Sequence, residues 1–324
     1  MSGGPVARAT RVTPWPPVLS EAFRSRLLAQ DDAACRPWLA ALPALCVDVA
    51  AGWRLEPAGP PAFGGAGLVL PMTGHDGRLV ALKLVSPLAD AAAEQRALAA
   101  LGGRAAVSLL DADLARGALL LEHVPGPTLA VEAARLRPVE AAAIAGHVAR
   151  RIAEVRAPAD APQLADGAAA WLTQLEAQHA SALRRGHALD EEAVDAAHEG
   201  INRLGTCRSL ALTHGDLSFA NIMRRADGTW IAIDPGFVAG PLENEAHTVL
   251  RSLLPSMMSA PDPSGAMAEV VLAYCSAAGG DPDLALDLSH ARFVASYYWE
   301  AQHHGAPDDV ENLRRAATTD GTGR

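Results

Sequence analysis

The run Thr213-His-Gly-Asp-Leu-Ser-Phe-Ala-Asn-Ile-Met223, followed by Trp230-Ile-Ala-Ile-Asp-Pro235, brings a carboxylate, a carboxamide and a second carboxylate close together in the chain. Asn221 lies five residues after Asp216, and Asp234 a further 13. Singly, each reads as ordinary loop chemistry: an Asp after Gly or an Asn in a turn, and an Asp closing a strand before Pro. Jointly, they fit phosphoryl transfer from a metal-bound nucleotide. Asp216 would face the accepting hydroxyl and take its proton, while Asn221 and Asp234 would hold Mg2+ against the phosphates. His214 reads as support for the loop through hydrogen bonds rather than as an acid or base.

A phosphate contact is needed from elsewhere, and Lys83 is the only lysine in the chain, against 26 arginines. It falls inside a strand expected over Leu79–Val85, where a charge is costly unless paired. A compact ammonium and a planar guanidinium are not interchangeable beside phosphates. Glu94, on the helix that follows, is the acid best placed to hold the ammonium. Asp90 competes with it, and an ordinary solvated role for Glu94 stays open. Gly64-Gly65-Ala66-Gly67 lies between the first two expected strands, where glycines let backbone approach a ligand. No Walker-type G-x-x-x-x-G-K-[ST] occurs. In Leu119-Leu-Leu-Glu-His-Val-Pro125 a strand gives way to a Pro-Gly break, and Glu122, His123 and Val124 would offer main-chain groups to adenine.

These residues need elements to position them. Residues 1–17 read as disordered, and a helical region follows from about Glu21 to Ala51, interrupted at Pro37 and Pro43. From Trp53 short apolar runs divided by Gly-rich or Asp-Gly turns predict three antiparallel strands, Trp53–Glu56, Gly67–Pro71 and Leu79–Val85. A helix over about Ala89–Leu101 and strands over Val107–Leu114 and Ala118–Val124 complete this part. Helices are expected over Arg137–Val155, Leu164–Arg184 and Glu191–Leu204. A hairpin follows, Asn221–Arg225 with Thr229–Asp234, and helices resume from about Leu242. The division is an N-terminal extension over 1–52, a nucleotide-binding lobe over 53–124 and a helical lobe over 125–324. The class is α+β, with the active site expected in the cleft between lobes.

Composition narrows the partners. The chain has 324 residues, half of them apolar and 4% aromatic, and a net charge of −10 without a basic block. Nucleic acid, whose binding needs clustered Lys and Arg, is not an expected partner. The charge is compatible with a small polar, cationic substrate. The four cysteines form no C-x-x-C pair and read as buried thiols in a reducing compartment. The start, which carries Arg8 and Arg11, has no apolar core of signal-peptide length, and no apolar run is long enough to span a membrane. A cytoplasmic monomer is expected.

With these motifs in place, the chain resembles the aminoglycoside phosphotransferase branch of the protein-kinase-like fold, nearest to the streptomycin 6-phosphotransferase and hydroxyurea kinase group. The resemblance rests on Trp38-Leu-Ala-Ala-Leu-Pro43, Gly65-Ala-Gly-Leu-Val-Leu-Pro71, Asp76-Gly-Arg-Leu-Val-Ala-Leu-Lys83, Leu119–Gly126 and the block from His214 to Pro235. It implies a bilobal fold with a five-stranded antiparallel N-lobe and a mostly helical C-lobe. It also implies ATP and Mg2+ as cofactors and a hydroxyl on a small molecule as acceptor, in the manner of an antibiotic resistance kinase. Ala81-Leu82-Lys83 resembles the kinase strand whose lysine contacts the nucleotide phosphates. Gly215 stands where protein kinases have Arg, and no Ala-Pro-Glu follows Asp234, so neither activation-loop phosphorylation nor a protein substrate is expected. The chain departs from the group at Ser218, where His is common, and after Asp234-Pro235. There it reads Gly236-Phe-Val-Ala-Gly-Pro-Leu-Glu-Asn-Glu-Ala246, with Asn244 near the family's Asp position. Glu245 and Glu300 are candidate partners for a cationic acceptor, against the reading of surface acids. The alternatives are a metabolic kinase of the same fold acting on a sugar, amine or hydroxyurea-like compound, and a nucleotide-binding module without catalysis.

Overall fold

The computed structural model describes residues 14–29, 33–65 and 67–319. The expected disorder of residues 1–13 and the central Ala66 of the glycine run lie outside the described residues. The chain divides into two compact units, residues 1–95 with 108–123, and residues 96–107 with 124–324.

In the first unit, helices α1 (Glu21–Leu28) and α2 (Cys35–Gly52) precede a mixed-length antiparallel sheet. Its strands are β1 (Glu56–Pro57), β2 (Ala62–Phe63), β3 (Gly67–Thr73), β4 (Leu79–Val85), β5 (Leu109–Asp113) and β6 (Ala118–Glu122). They run in the order β1-β3-β4-β6-β5, with β2 also paired to β3. Among the described residues the sheet therefore has six strands rather than five; β2 is only two residues long, too short to show a period in sequence. The first strand starts at Glu56, not Trp53. Trp53 caps α2, and Arg54 turns the chain in a left-handed conformation (φ 54°) before the sheet begins.

Neither proline interrupts α2. Pro37 sits in the first turn, where its missing N–H has no partner to lose. Pro43 lies in the interior, where the lost hydrogen bond costs about 3 kcal/mol. The burial of Leu39, Leu42, Cys46 and Val49 along the same helix offsets that cost. These side chains, with Leu19, Phe23 and Leu27, form one core with Leu68, Leu70, Met72, Val80, Leu82 and Leu84 of the sheet. The helices expected as an extension thus share the core of the sheet. Trp15 packs against it and Pro17 is buried, so the expected disorder does not reach these two residues. Alternation along β4 turns Val80, Leu82 and Leu84 toward this core and leaves Lys83 on the opposite face.

The second unit is mainly helical. Its principal helices are α4 (Leu129–Glu132), α5 (Pro138–Ala153), α6 (Ala168–Arg185), α7 (Glu191–Thr206), α8 (Ala246–Met258), α9 (Pro263–Ala278), α10 (Pro282–Gln302) and α11 (Pro307–Ala317). The buried face of α5 is built from Ala141, Ala142, Ala145, Gly146 and Ala149 with Val148 and Ile152. Such small residues allow α9 to approach closely: a Cβ at Gly146 would run into the Tyr274 carbonyl. Two small ribbons interrupt the helices. β7 (Leu212–Thr213) pairs with β10 (Val238–Ala239), and β8 (Ile222–Arg224) pairs with β9 (Trp230–Ala232). The cysteines Cys35, Cys46 and Cys275 are buried, Cys207 is half-buried, and all are free thiols. Among the described residues, no helix is long and apolar enough to cross a membrane.

Candidate active site

The two ribbons of the second unit frame the His214–Asp234 block. β7 ends at Thr213, and the loop that follows carries His214, Gly215 and Asp216. Gly215 has φ +84°, a conformation that a side chain disfavours. The buried His214 imidazole braces the loop from inside. Its Nδ1 accepts from the Asp216 N–H at 3.3 Å, so Nε2 carries the proton and donates to the Ile233 carbonyl at 2.8 Å. One ring therefore ties the loop of Asp216 to the segment entering Asp234.

Asn221 closes the loop from the other end. Its Nδ2 donates to the Asp216 carbonyl at 2.9 Å and to Asp216 Oδ2 at 3.1 Å. Its own carbonyl accepts from the Ile233 N–H at 2.9 Å, which sets Asp234 beside it. Asp234 has φ +58°, a strained conformation for a residue with a Cβ that costs on the order of 1 kcal/mol or more. Asp216 is exposed, whereas Asn221 and Asp234 are half-buried. The amide orientation of Asn221 leaves its Oδ1 as an oxygen donor next to a carboxylate. A hard cation such as Mg2+ takes oxygen ligands, one or two of them carboxylates, and completes its shell with water and phosphate. These residues fit such an ion.

Glu245 holds the same loop and corrects its assignment as a substrate partner. It ends a 3-10 turn, Leu242–Glu245, and is only 1% exposed. Oε1 accepts from the Thr213 hydroxyl and from the Gly215 N–H at 2.6 Å, and Oε2 accepts from the Leu217 N–H at 3.0 Å. The carboxylate thus bonds the amides on both sides of Asp216 and has no surface to offer a substrate. The Phe219 N–H is taken by Ser252 of α8 at 3.1 Å. Sequence reasoning missed Thr213 and Ser252 and placed Glu245 at the entrance. The available signal was an acid in an unusual stretch, but nothing local reveals a partner some 30 residues away. Glu300, the other acid expected to meet a cation, is paired with Arg251 at 3.3 Å.

In the first unit, Lys83 is 2% exposed on the central strand β4, between Val69 of β3 and Leu119 of β6. Its ammonium donates to both oxygens of Glu94 at 2.6 and 2.7 Å. Asp90 caps the helix α3 (Ala91–Leu101) instead, accepting from the N–H groups of Ala92 and Ala93. In the glycine run, the Gly64 N–H donates to the Gly67 carbonyl at 2.9 Å. A Cβ on Gly67 would collide with the Leu84 carbonyl of β4, so no other residue fits there. Glu122 turns its carboxylate onto the N–H and hydroxyl of Ser108, at 3.1 and 2.9 Å. His123 is the last residue of the first unit and Val124 the first of the second.

The chain matches known proteins over most of its length. A family model described as aminoglycoside/hydroxyurea antibiotic resistance kinase matches residues 52–303. A hydroxyurea phosphotransferase of Kitasatospora aureofaciens is 33% identical over 209 residues, 64% of this chain and 60% of its own. A streptomycin 6-kinase of Streptomyces glaucescens is 33% identical over 207 residues, 63% of this chain and 64% of its own. The match thus spans less than two thirds of either relative's length. Among solved structures, macrolide 2'-phosphotransferase MphH of Brachybacterium faecium aligns over 86% of this chain and 98% of its own. Its TM-score is 0.53 at 18% identity, which shows a shared protein-kinase-like α+β fold. The chain belongs to the aminoglycoside/hydroxyurea antibiotic resistance kinase family.

Proposed function

We propose that the protein is an ATP- and Mg2+-dependent phosphotransferase that moves the γ-phosphate onto a hydroxyl of a small molecule. The observation that carries this reading is the braced loop in which Asp216, Asn221 and Asp234 are tied together through His214, Ile233 and the Glu245 carboxylate. Magnesium, when bound, would neutralise phosphate charge and orient the transferring group. Asn221 Oδ1 and the Asp234 carboxylate are the donors that would hold it. Asp216 keeps one carboxylate oxygen, Oδ2, on Asn221, and the acid as a whole is exposed. It would orient the acceptor hydroxyl and receive its proton as the new bond to phosphorus forms. Lys83, fixed by Glu94, would take the nucleotide phosphates, and the Gly64–Gly67 turn would lay backbone over them. Glu122, His123 and Val124 would present main-chain groups to the base.

The names of the relatives make streptomycin and hydroxyurea the first acceptors to test. The decisive measurement is nucleotide consumption by the purified chain over a panel of aminoglycosides, hydroxyurea, sugars and amino alcohols. Asp216→Ala should abolish transfer and leave ATP binding nearly intact. Turnover near the wild-type rate in that variant removes Asp216 from its role. Nucleotide binding with no turnover across a broad panel points to a binding module instead.

A further inference from the structure

The second unit holds a cavity of about 400 Å3 whose wall is formed by α6, α10 and the 3-10 turn that ends in Glu245. Its chemistry is unlike that of a site for a polycation, because among the described residues no carboxylate lines it. The one charged side chain on the wall is Arg292, which has no carboxylate within ion-pairing distance among the described residues. The guanidinium donates to Asn244 Oδ1 at 3.4 Å. That contact fixes the orientation of the amide and leaves Asn244 Nδ2 a buried donor without a partner, in a residue only 2% exposed. The guanidinium N–H groups not engaged by Asn244 therefore line the cavity with no carboxylate among the described residues to match them. Trp171 and Trp299 provide flat apolar surface on the same wall.

We propose that this cavity receives an oxyanion, a carboxylate or its like, carried on a planar apolar body, and that the phosphate acceptor bears that group. Donors without acceptors call for negative charge, and a guanidinium binds carboxylate through a pair of parallel hydrogen bonds. The indole surfaces fit the flat body. Asn244 immediately precedes Glu245, whose carboxylate holds the amides flanking Asp216. Asn244 on the cavity wall and Glu245, which holds the loop of Asp216, thus belong to one short turn. The second half of the proposal rests on the phosphotransferase reading; the first half does not.

Three isosteric probes separate the possibilities: 4-(hydroxymethyl)benzoate, 4-(hydroxymethyl)benzamide and 4-(hydroxymethyl)benzylamine, with charges of about −1, 0 and +1 at neutral pH. Binding is read by saturation-transfer NMR titration on the full chain, in wild type and in Asp216→Asn, where transfer is not required. The carboxylate should bind at least about tenfold more tightly than the amine, the scale of a charge-assisted hydrogen bond. Arg292→Met should erase that preference, and Arg292→Lys should keep part of it. Ser296→Asp, which adds an acid to the same wall at a half-buried position, should invert the preference and serves if Arg292→Met does not fold. Equal or tighter binding of the amine overturns the proposal, as does no binding of any probe to folded protein, or an unchanged preference in a folded Arg292→Met. Carboxylate binding without phosphate transfer to the probe keeps the cavity assignment and overturns the assignment of this group to the acceptor.

Discussion

Replacing Glu245 by Gln is the most informative single change, because it alters hydrogen-bonding capacity while nearly conserving volume. The carboxylate accepts three bonds, from the Thr213 hydroxyl and the N–H groups of Gly215 and Leu217. A carboxamide has one oxygen. If that oxygen takes the place of Oε1, the new NH2 group faces the Leu217 N–H, donor against donor, in a residue 1% exposed. A buried donor left without an acceptor costs about 1–3 kcal/mol, and the two surviving bonds lose their charge assistance. A loss of about 2–3 kcal/mol in the free energy that keeps the loop closed is the resulting expectation. At 1.4 kcal/mol per factor of ten, amide exchange at Gly215 and Leu217 should accelerate roughly 30- to 150-fold.

The assay is hydrogen exchange of peptides covering residues 209–219, read by mass spectrometry on folded protein. Lys83, Glu94 and the glycine turn belong to the other compact unit, so nucleotide affinity should change little. Turnover, once an acceptor is known, should fall by at least about tenfold, since a displaced general base loses most of its advantage. Glu245→Asp keeps the charge and all acceptor sites but shortens the reach, and should fall between wild type and Glu245→Gln. If a folded Glu245→Gln protein exchanges Gly215 and Leu217 at wild-type rates, the carboxylate does not hold the loop and the account of the site is wrong.

Other consequences are simpler to state. Glu94→Ala removes one member of a buried ion pair, which costs about 3–5 kcal/mol; a Lys83→Met/Glu94→Leu double variant should recover most of the lost melting temperature yet not bind nucleotide. His247 packs against Phe293 at a ring separation of 4.6 Å, and full burial, then Arg292 and Arg251, hold its imidazole well below the ordinary histidine range. The unfolded chain therefore takes up a proton near its usual pKa of about 6.5 that the native state refuses, so stability falls as pH drops below that value. The fall should approach 1.4 kcal/mol per pH unit for this group, and His247→Gln should flatten denaturant midpoints measured from about pH 7.5 to 5.5. Burial also pushes the thiols of Cys46 and Cys275 up to about 12, so alkylation of native protein at about pH 8 should be confined to Cys207, with labelling of all four cysteines only after unfolding.

Where chemistry was local, sequence exposed it. The spacing of Asp216, Asn221 and Asp234 survives folding because a tight loop and a short ribbon connect them directly. The lone lysine was legible for the same kind of reason: a charge inside an apolar strand demands a partner, and the next helix supplies Glu94 one turn in. What stayed hidden depends on packing. Pro43 reads as a break until the apolar face of α2 is seen against the sheet, where burial outweighs one missing hydrogen bond. Two-residue strands such as Ala62–Phe63 carry no alternation at all.

Glu245 marks the limit most sharply. In the run Glu243-Asn244-Glu245, three polar residues look interchangeable in sequence, yet a 3-10 turn sends them to three different tasks. Glu243 accepts from the Asp281 N–H at 2.9 Å at the start of α10, Asn244 meets Arg292 on the cavity wall, and Glu245 turns inward onto the loop of Asp216. A shift of one residue would exchange these tasks, placing a carboxylate beside Arg292 and a carboxamide under the loop. The cavity would then lose its unmatched donors and the loop its charged acceptor. The register of this one turn therefore sets both how firmly Asp216 is held and what charge the neighbouring cavity can accept.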